Sequence, residues 1–182
     1  HGHSISALYG MDQSNRVIYI NTFSKTISPG LRISYMVLPQ KLVDKYVKSA
    51  NFFSNTSSNL EQETLARFMK EGYFDRHLTR MRKYYLQQGT YLKNALLNTP
   101  SIPIKKITGT NTGTHLLVRL DTTLSDAEIK RRAKDLNINL CCLSEYCVEN
   151  NEQYEHILIL NYPSIEKEEI QEVVSVLGKI FK

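Results

Sequence analysis

Cysteine is scarce in this sequence: Cys141, Cys142 and Cys147 are all it has, and they fall in one short segment. An odd count with no second cluster excludes a disulfide framework and leaves a tetrahedral zinc site incomplete, so a reduced, cytoplasmic setting is the expectation. Unbroken apolar runs of about 18 residues are missing as well, which excludes a membrane-spanning helix of ordinary length. The start lacks the basic-then-apolar order of a secretory signal, and because it is His1 rather than Met the chain reads as a fragment. His77 and His115 lie far apart without spaced carboxylates, so no metal site is expected. Internal repeats and low-complexity stretches are absent.

What is present is an ordinary globular composition. With 182 residues, 41% hydrophobic and 23% charged, the chain can build one sizeable core or two small ones. A formal charge of +5, from 23 Lys and Arg against 18 Asp and Glu, is too modest to demand a polyanionic partner. Basic residues are spread along the chain except between Arg76 and Lys83, a cluster that reads as the solvated face of a helix.

The spacing of apolar residues outlines the elements. Residues 16–21 and 33–38 are β-branched and aromatic runs that read as strands on either side of a polar loop. Pro39 ends the second, and Leu42, Val43, Tyr46, Val47 and Ala50 predict a helix over 40–50. Asn59 with Gln62 suggests a reciprocal cap opening a helix over 60–71, stopped by Gly72. A long helix follows over 75–97, with Gly89 as its one weak point. Past Pro100 and Pro103, a turn region at 109–113 leads to a strand at 115–120. Ser125 with Glu128 then opens a helix to about Leu136, before apolar runs at 138–143 and 157–162. A terminal helix over 165–181 should bury Ile170, Val173, Val174, Leu177 and Ile180. The order strand, helix, strand, strand, helix predicts a two-layer unit, with a boundary near residue 98 that divides the chain into 1–98 and 99–182.

Chemistry is densest in Thr22-Phe-Ser24-Lys25-Thr26-Ile-Ser28-Pro29-Gly30-Leu-Arg32, where eleven residues offer four hydroxyls, one amine and one guanidinium. Such loops at strand ends are where α/β proteins commonly place ligands. Hydroxyls can donate to phosphate oxygens, and an arginine grips two of them in a fork that lysine cannot match. Lys25 would then be free for covalent work, since an amine with a nearby cation and partial desolvation can attack an aldehyde.

This segment, continued through Ile33-Ser34-Tyr35, resembles the cofactor-lysine segment of fold-type I aminotransferases. It is most similar to the MocR group, regulators that join a winged-helix domain to an aminotransferase-like domain. Ser57-Ser-Asn-Leu-Glu-Gln62, Leu65-Ala-Arg-Phe-Met-Lys-Glu-Gly72, Phe74-Asp-Arg-His-Leu-Thr-Arg-Met-Arg82, Thr112-Gly-Thr-His-Leu116 and Leu143-Ser-Glu-Tyr146 extend the resemblance along nearly the whole chain. It implies an α/β fold: the C-terminal portion of the large domain of a fold-type I pyridoxal-phosphate transferase, followed by its smaller two-layer domain. By the same resemblance Lys25 matches the catalytic Schiff-base lysine, Thr22 and Ser24 match hydroxyls near the phosphate of pyridoxal 5'-phosphate, and Arg32 matches the phosphate-binding arginine.

The family's aspartate for the pyridine nitrogen, and the tyrosine near it, lie upstream of the matching segment. Without that carboxylate the electron sink would be weaker. Ile159 stands where many family aminotransferases carry an arginine for the substrate carboxylate, and Arg119 reads as a surface residue rather than its substitute. The resemblance therefore implies a dimerising effector domain, with an amino acid, an amine or pyridoxal phosphate as effector. DNA would be reached only through a separate N-terminal domain. The alternative it implies is a genuine aminotransferase acting on an amino acid and a 2-oxo acid.

Overall fold

The computed structural model describes residues 6–50, 52–109, 113–148 and 152–182; the middle of the 109–113 turn, including Thr112, lies outside the described residues. Contacts divide the chain into two compact units within one long helix, between Arg80 and Met81.

The unit up to Arg80 opens with a single helical turn, α1 (Leu8–Met11). Strands β1 (Tyr19–Thr22) and β2 (Ser34–Val37) pair antiparallel from Tyr19↔Val37 to Thr22↔Ser34, so the loop between them is a closed return. Tyr35 packs across the pair against Tyr19 and Phe23, with ring centroids 5.9 and 5.2 Å apart, the cross-strand contact that aromatic residues favour. Pro39 is buried and its carbonyl accepts from Leu42 N, opening α2 (Gln40–Ala50) at the expected bounds.

Helix α3 (Asn59–Lys70) corrects the expected cap. Ser58 is the N-cap, with no side-chain cap bond, and the Gln62 amide donates back to the Ser57 carbonyl at 3.1 Å instead of closing a reciprocal pair. Gly72, at φ +73°, takes the left-handed conformation that lets the chain leave α3 and start α4 (Tyr73–Leu97) at once. Few apolar side chains are covered in this unit. Ile33 and Leu65 are buried, whereas Ile20, Phe52 and Leu60 are exposed.

From Met81 onward the remainder of α4 joins a four-stranded antiparallel sheet of order β3-β4-β6-β5. Its strands are β3 (Ile104–Thr108), β4 (His115–Leu120), β5 (Cys141–Cys142) and β6 (Ile157–Asn161). One face of β4 buries Leu116, Val118 and Leu120. They share a single core with Leu92 and Leu96 of α4, Ile129 and Ala133 of α5 (Asp126–Asp135), and Ile170, Val174 and Leu177 of α6 (Ile170–Leu177). This is the expected two-layer packing.

Three details depart from the expected elements. Strand β3 is additional, hidden in the sequence because a register shift between Ile104 and Lys106 breaks the alternation that marks a strand. The run at 138–143 pairs only at Cys141 and Cys142, because Asn137 turns left-handed at φ 59° and Ile138 N bonds back to the Ala133 carbonyl to finish α5. The terminal helix starts at Ile170 after turns from Ile165, continues as a 3-10 turn over Gly178–Phe181, and leaves Val173 exposed on its outer face.

Gly89 has a physical reason. A side chain there would place Cβ 3.1 Å from Cζ of Tyr162, which is buried and whose hydroxyl donates to the Gly113 carbonyl at 3.0 Å.

Candidate functional site

The loop from Thr22 to Arg32 is built from its own hydroxyls. Thr22 caps a 3-10 turn, Phe23–Lys25, by accepting from Ser24 N at 3.2 Å, and its hydroxyl donates across the loop to the Ile33 carbonyl, also at 3.2 Å. The Ser24 hydroxyl donates to the Leu31 carbonyl at 2.6 Å, and Phe23 N donates to the Ile33 carbonyl at 3.0 Å. The outgoing and returning arms are thus tied by bonds to the carbonyls on either side of Arg32. Thr26 N and Ile27 N both donate to the Phe23 carbonyl, at 3.1 and 2.9 Å, continuing the turn past Lys25.

Lys25 and Arg32 themselves are exposed, and among the described residues neither has a hydrogen-bond or ion-pair partner. The four expected site residues therefore share one braced loop in two different states. The hydroxyl protons of Thr22 and Ser24 are spent inside the loop; the amine and guanidinium are uncommitted. An anionic, phosphate-bearing aldehyde fits this set through the two cations. Either hydroxyl would have to turn from its carbonyl to donate to an incoming phosphate.

The loop also leans on α4 within the same unit. His77 Nε2 lies 3.0 Å from the Thr26 carbonyl, and the ring of Phe74 meets that of Phe23 edge-on at 6.0 Å. These two residues carried no local signal of a site; their spacing of three, against the equal spacing of Phe23 and Thr26, is the one hint. On another side of the loop, Ile27 and Leu31 join Leu60, Leu65 and Phe68 around an apolar cavity of about 360 Å³ that neither Lys25 nor Arg32 lines.

In the unit from Met81, Ile159 pairs with Leu117 and Cys141 in the sheet and offers no charge. Arg119 donates to the Gln153 carbonyl at 2.7 Å, a structural contact at the surface. Cys142 is fully buried, and burial pushes its thiol up to about 12, which keeps it protonated and unreactive near neutrality. Among the described residues no helix is long and apolar enough to cross a membrane.

An antiparallel return carrying an unpaired lysine, followed by a long helix and a two-layer unit, is a piece of the fold-type I transferase fold. Residues 2–177 match the model of the aminotransferase class I and II family, and the chain belongs to that family. Its relatives include the HTH-type transcriptional regulator YhdI of Bacillus subtilis, 32% identical over 93% of this chain and 36% of that protein. Another, from Rhizobium meliloti, is described as "Probable rhizopine catabolism regulatory protein MocR"; it is 32% identical over 99% of this chain and 36% of its own length. The resemblance to the MocR group seen in the sequence thus holds along the chain, which spans about a third of the length of these curated relatives. The crystal structure of Pyrococcus horikoshii kynurenine aminotransferase, solved in complex with PMP, superposes on all of this chain and 44% of its own with a TM-score of 0.79. At 22% identity that likeness is one of fold.

Proposed function

We propose that this chain is part of the effector domain of a MocR-type transcriptional regulator and holds pyridoxal 5'-phosphate on Lys25, with Arg32 as the phosphate clamp. The observation that carries the reading is the contrast inside one loop, where a closed hydroxyl brace presents an exposed amine and an exposed guanidinium with no partner among the described residues. When bound, the cofactor supplies an aldehyde and an electron-withdrawing ring. Arg32 would bind and orient the phosphate, Thr22 and Ser24 would keep the turn closed, and the Lys25 amine would form the covalent link and carry a proton. Relatives of the regulator type support sensing over turnover. So does Ile159, which puts no cation at the position where many family aminotransferases grip a carboxylate.

The reading brings with it a homodimer, a cytoplasmic location, an amino acid, amine or pyridoxal phosphate as effector, and DNA contacted by a separate domain. We also propose that the domains divide at about residue 98, with 1–98 belonging to the large domain and 99–182 to the small one.

The test is the visible absorbance of the full-length protein with added pyridoxal phosphate, followed by borohydride trapping and peptide mapping. Wild type should gain a band and trap the cofactor on Lys25, and Lys25→Ala should do neither. Arg32→Ala should weaken binding by about 10- to 100-fold, the scale of a lost charge-assisted clamp. Identical spectra for wild type and Lys25→Ala would remove the cofactor assignment. Robust half-transamination with an amino acid, with DNA binding indifferent to every amine tried, would favour the aminotransferase reading.

A further inference from the structure

Lys25 is the last residue of a short turn, and a turn of three residues has little intrinsic rigidity. Something must hold it if the amine is to meet a ligand in a set place. The loop's own hydroxyls tie Thr22 and Ser24 before Lys25, and past it Thr26 closes back on the Phe23 carbonyl through its N and, at 3.3 Å, its hydroxyl, bonds that stay within the loop. Past Lys25, the only side chain from a distant part of the sequence that bonds the turn, among the described residues, is His77, 51 positions on from Thr26.

The match between the two elements is one of spacing. Phe74 and His77 are three apart on α4 and so lie on one face, about 4.5 Å apart along the axis. Phe23 and Thr26 are also three apart, across a 3-10 turn whose period is three, so they too share a side. Phe74 meets Phe23 before Lys25 and His77 meets Thr26 after it, so a single helical turn grips both ends of the segment and leaves the Lys25 side chain outside. Because a carbonyl can only accept, Nε2 of His77 must carry the hydrogen. The ring of Phe68 meets that of His77 at an angle of 62°, with centroids 6.4 Å apart.

We infer that His77 is a positioning residue: its hydrogen bond to the Thr26 carbonyl, with Phe74 against Phe23, latches the Lys25 turn onto α4 and sets where the amine points. This gives a role to the Phe74-Asp-Arg-His77 segment that the basic residues around it do not explain. It rests on the reading of Lys25 as the point of cofactor attachment.

The experiment compares His77→Ala, His77→Phe and His77→Gln in the full-length protein with two readouts. Without cofactor, hydrogen exchange at the Thr26 and Ile27 amides reports the turn. With added pyridoxal phosphate, the visible band gives an apparent Kd, and borohydride trapping gives the fraction attached to Lys25. His77→Ala and His77→Phe should speed exchange and raise Kd by about three- to tenfold, the scale of one hydrogen bond. His77→Gln, which still offers an amide donor, should recover most of both. His77→Phe keeps a ring beside Phe68, so a folded variant without the donor remains even if His77→Ala unfolds. Exchange and Kd unchanged in His77→Phe, or a glutamine variant no better than the alanine one, would overturn the latch. Should wild type take no cofactor on Lys25, the cofactor reading falls, and the exchange comparison still decides whether His77 holds the turn.

Discussion

In the unit from Met81 to Lys182, α4, α5 and α6 turn their apolar residues towards one face of the sheet, and Leu92, Leu96, Leu116, Val118, Leu158 and Ile129 are covered almost completely. In the unit up to Arg80 the same kinds of residue point outward: Leu60 is 78% exposed, Phe52 76% and Ile20 68%. The first is held by burial, which is cooperative and insensitive to any one polar contact. The second is held by hydrogen bonds within a loop and by a few ring contacts, and it is there that the uncommitted amine and guanidinium are found. Reactive groups on a lightly covered surface, with a well-packed module elsewhere in the chain, are a familiar division of labour, because binding loops need access that a core cannot give.

The largest test of that contrast is a pair of truncations followed by urea unfolding. Leu96→Ala should cost about 2–5 kcal/mol, because the residue is fully enclosed and its neighbours cannot collapse into the space. Leu65→Ala, beside an open cavity, should cost less than half as much. Equal losses would mean that the two units do not differ in packing.

Gly89→Ala should cost about 1–2 kcal/mol, although the same change in an exposed helix gains about 0.5–1 kcal/mol, because the new methyl meets a Tyr162 ring that cannot move away. Tyr162→Phe removes the hydroxyl bonded to Gly113, which lies 3.2 Å from that methyl position, and should relieve part of the cost. A more stable Gly89→Ala protein would show that the core is looser than its burial implies.

Helix caps sharpen the comparison on a smaller scale. Ser125→Ala removes the hydroxyl that accepts from Glu128 N and should cost about 1 kcal/mol. Ser58→Ala, at a helix start without a side-chain cap bond, should cost little.

The smallest effect expected is one of pH. Arg131 and Arg132 hold the Glu128 carboxyl down at about 2, against an ordinary 4.5. A lowered folded-state value means that the stabilisation is complete above about 4.5 and is lost as the pH falls from there towards 2. The group is only partly covered and solvent screens its ion pairs, so the loss is slight, and Glu128→Gln should flatten that part of an acid titration followed by circular dichroism.

The legible elements were those whose signal is local. Helix α2 keeps the bounds read from Leu42, Val43, Tyr46, Val47 and Ala50, strand β4 coincides with the apolar run at 115–120, and Ser125 caps α5 as its spacing to Glu128 suggests. Strand β3 was hidden because a bulge spoils its alternation, and most of the run at 138–143 was lost to the end of α5. In the candidate site the chemically able residues, Lys25 and Arg32 among them, could be picked out directly. The hydroxyls of Thr22 and Ser24 were legible as donors but not as donors already engaged, since their acceptors, Ile33 and Leu31, become neighbours only when the loop closes.

From residue order alone came the kinds of element, the stock of reactive groups and the resemblance that links them to a cofactor, because propensities and motifs depend on residues a few positions apart. Tertiary structure alone decided which groups are spent and which remain free. It set the Gly89 backbone against Tyr162 and His77 against Thr26, contacts spanning 73 and 51 positions that no local pattern encodes.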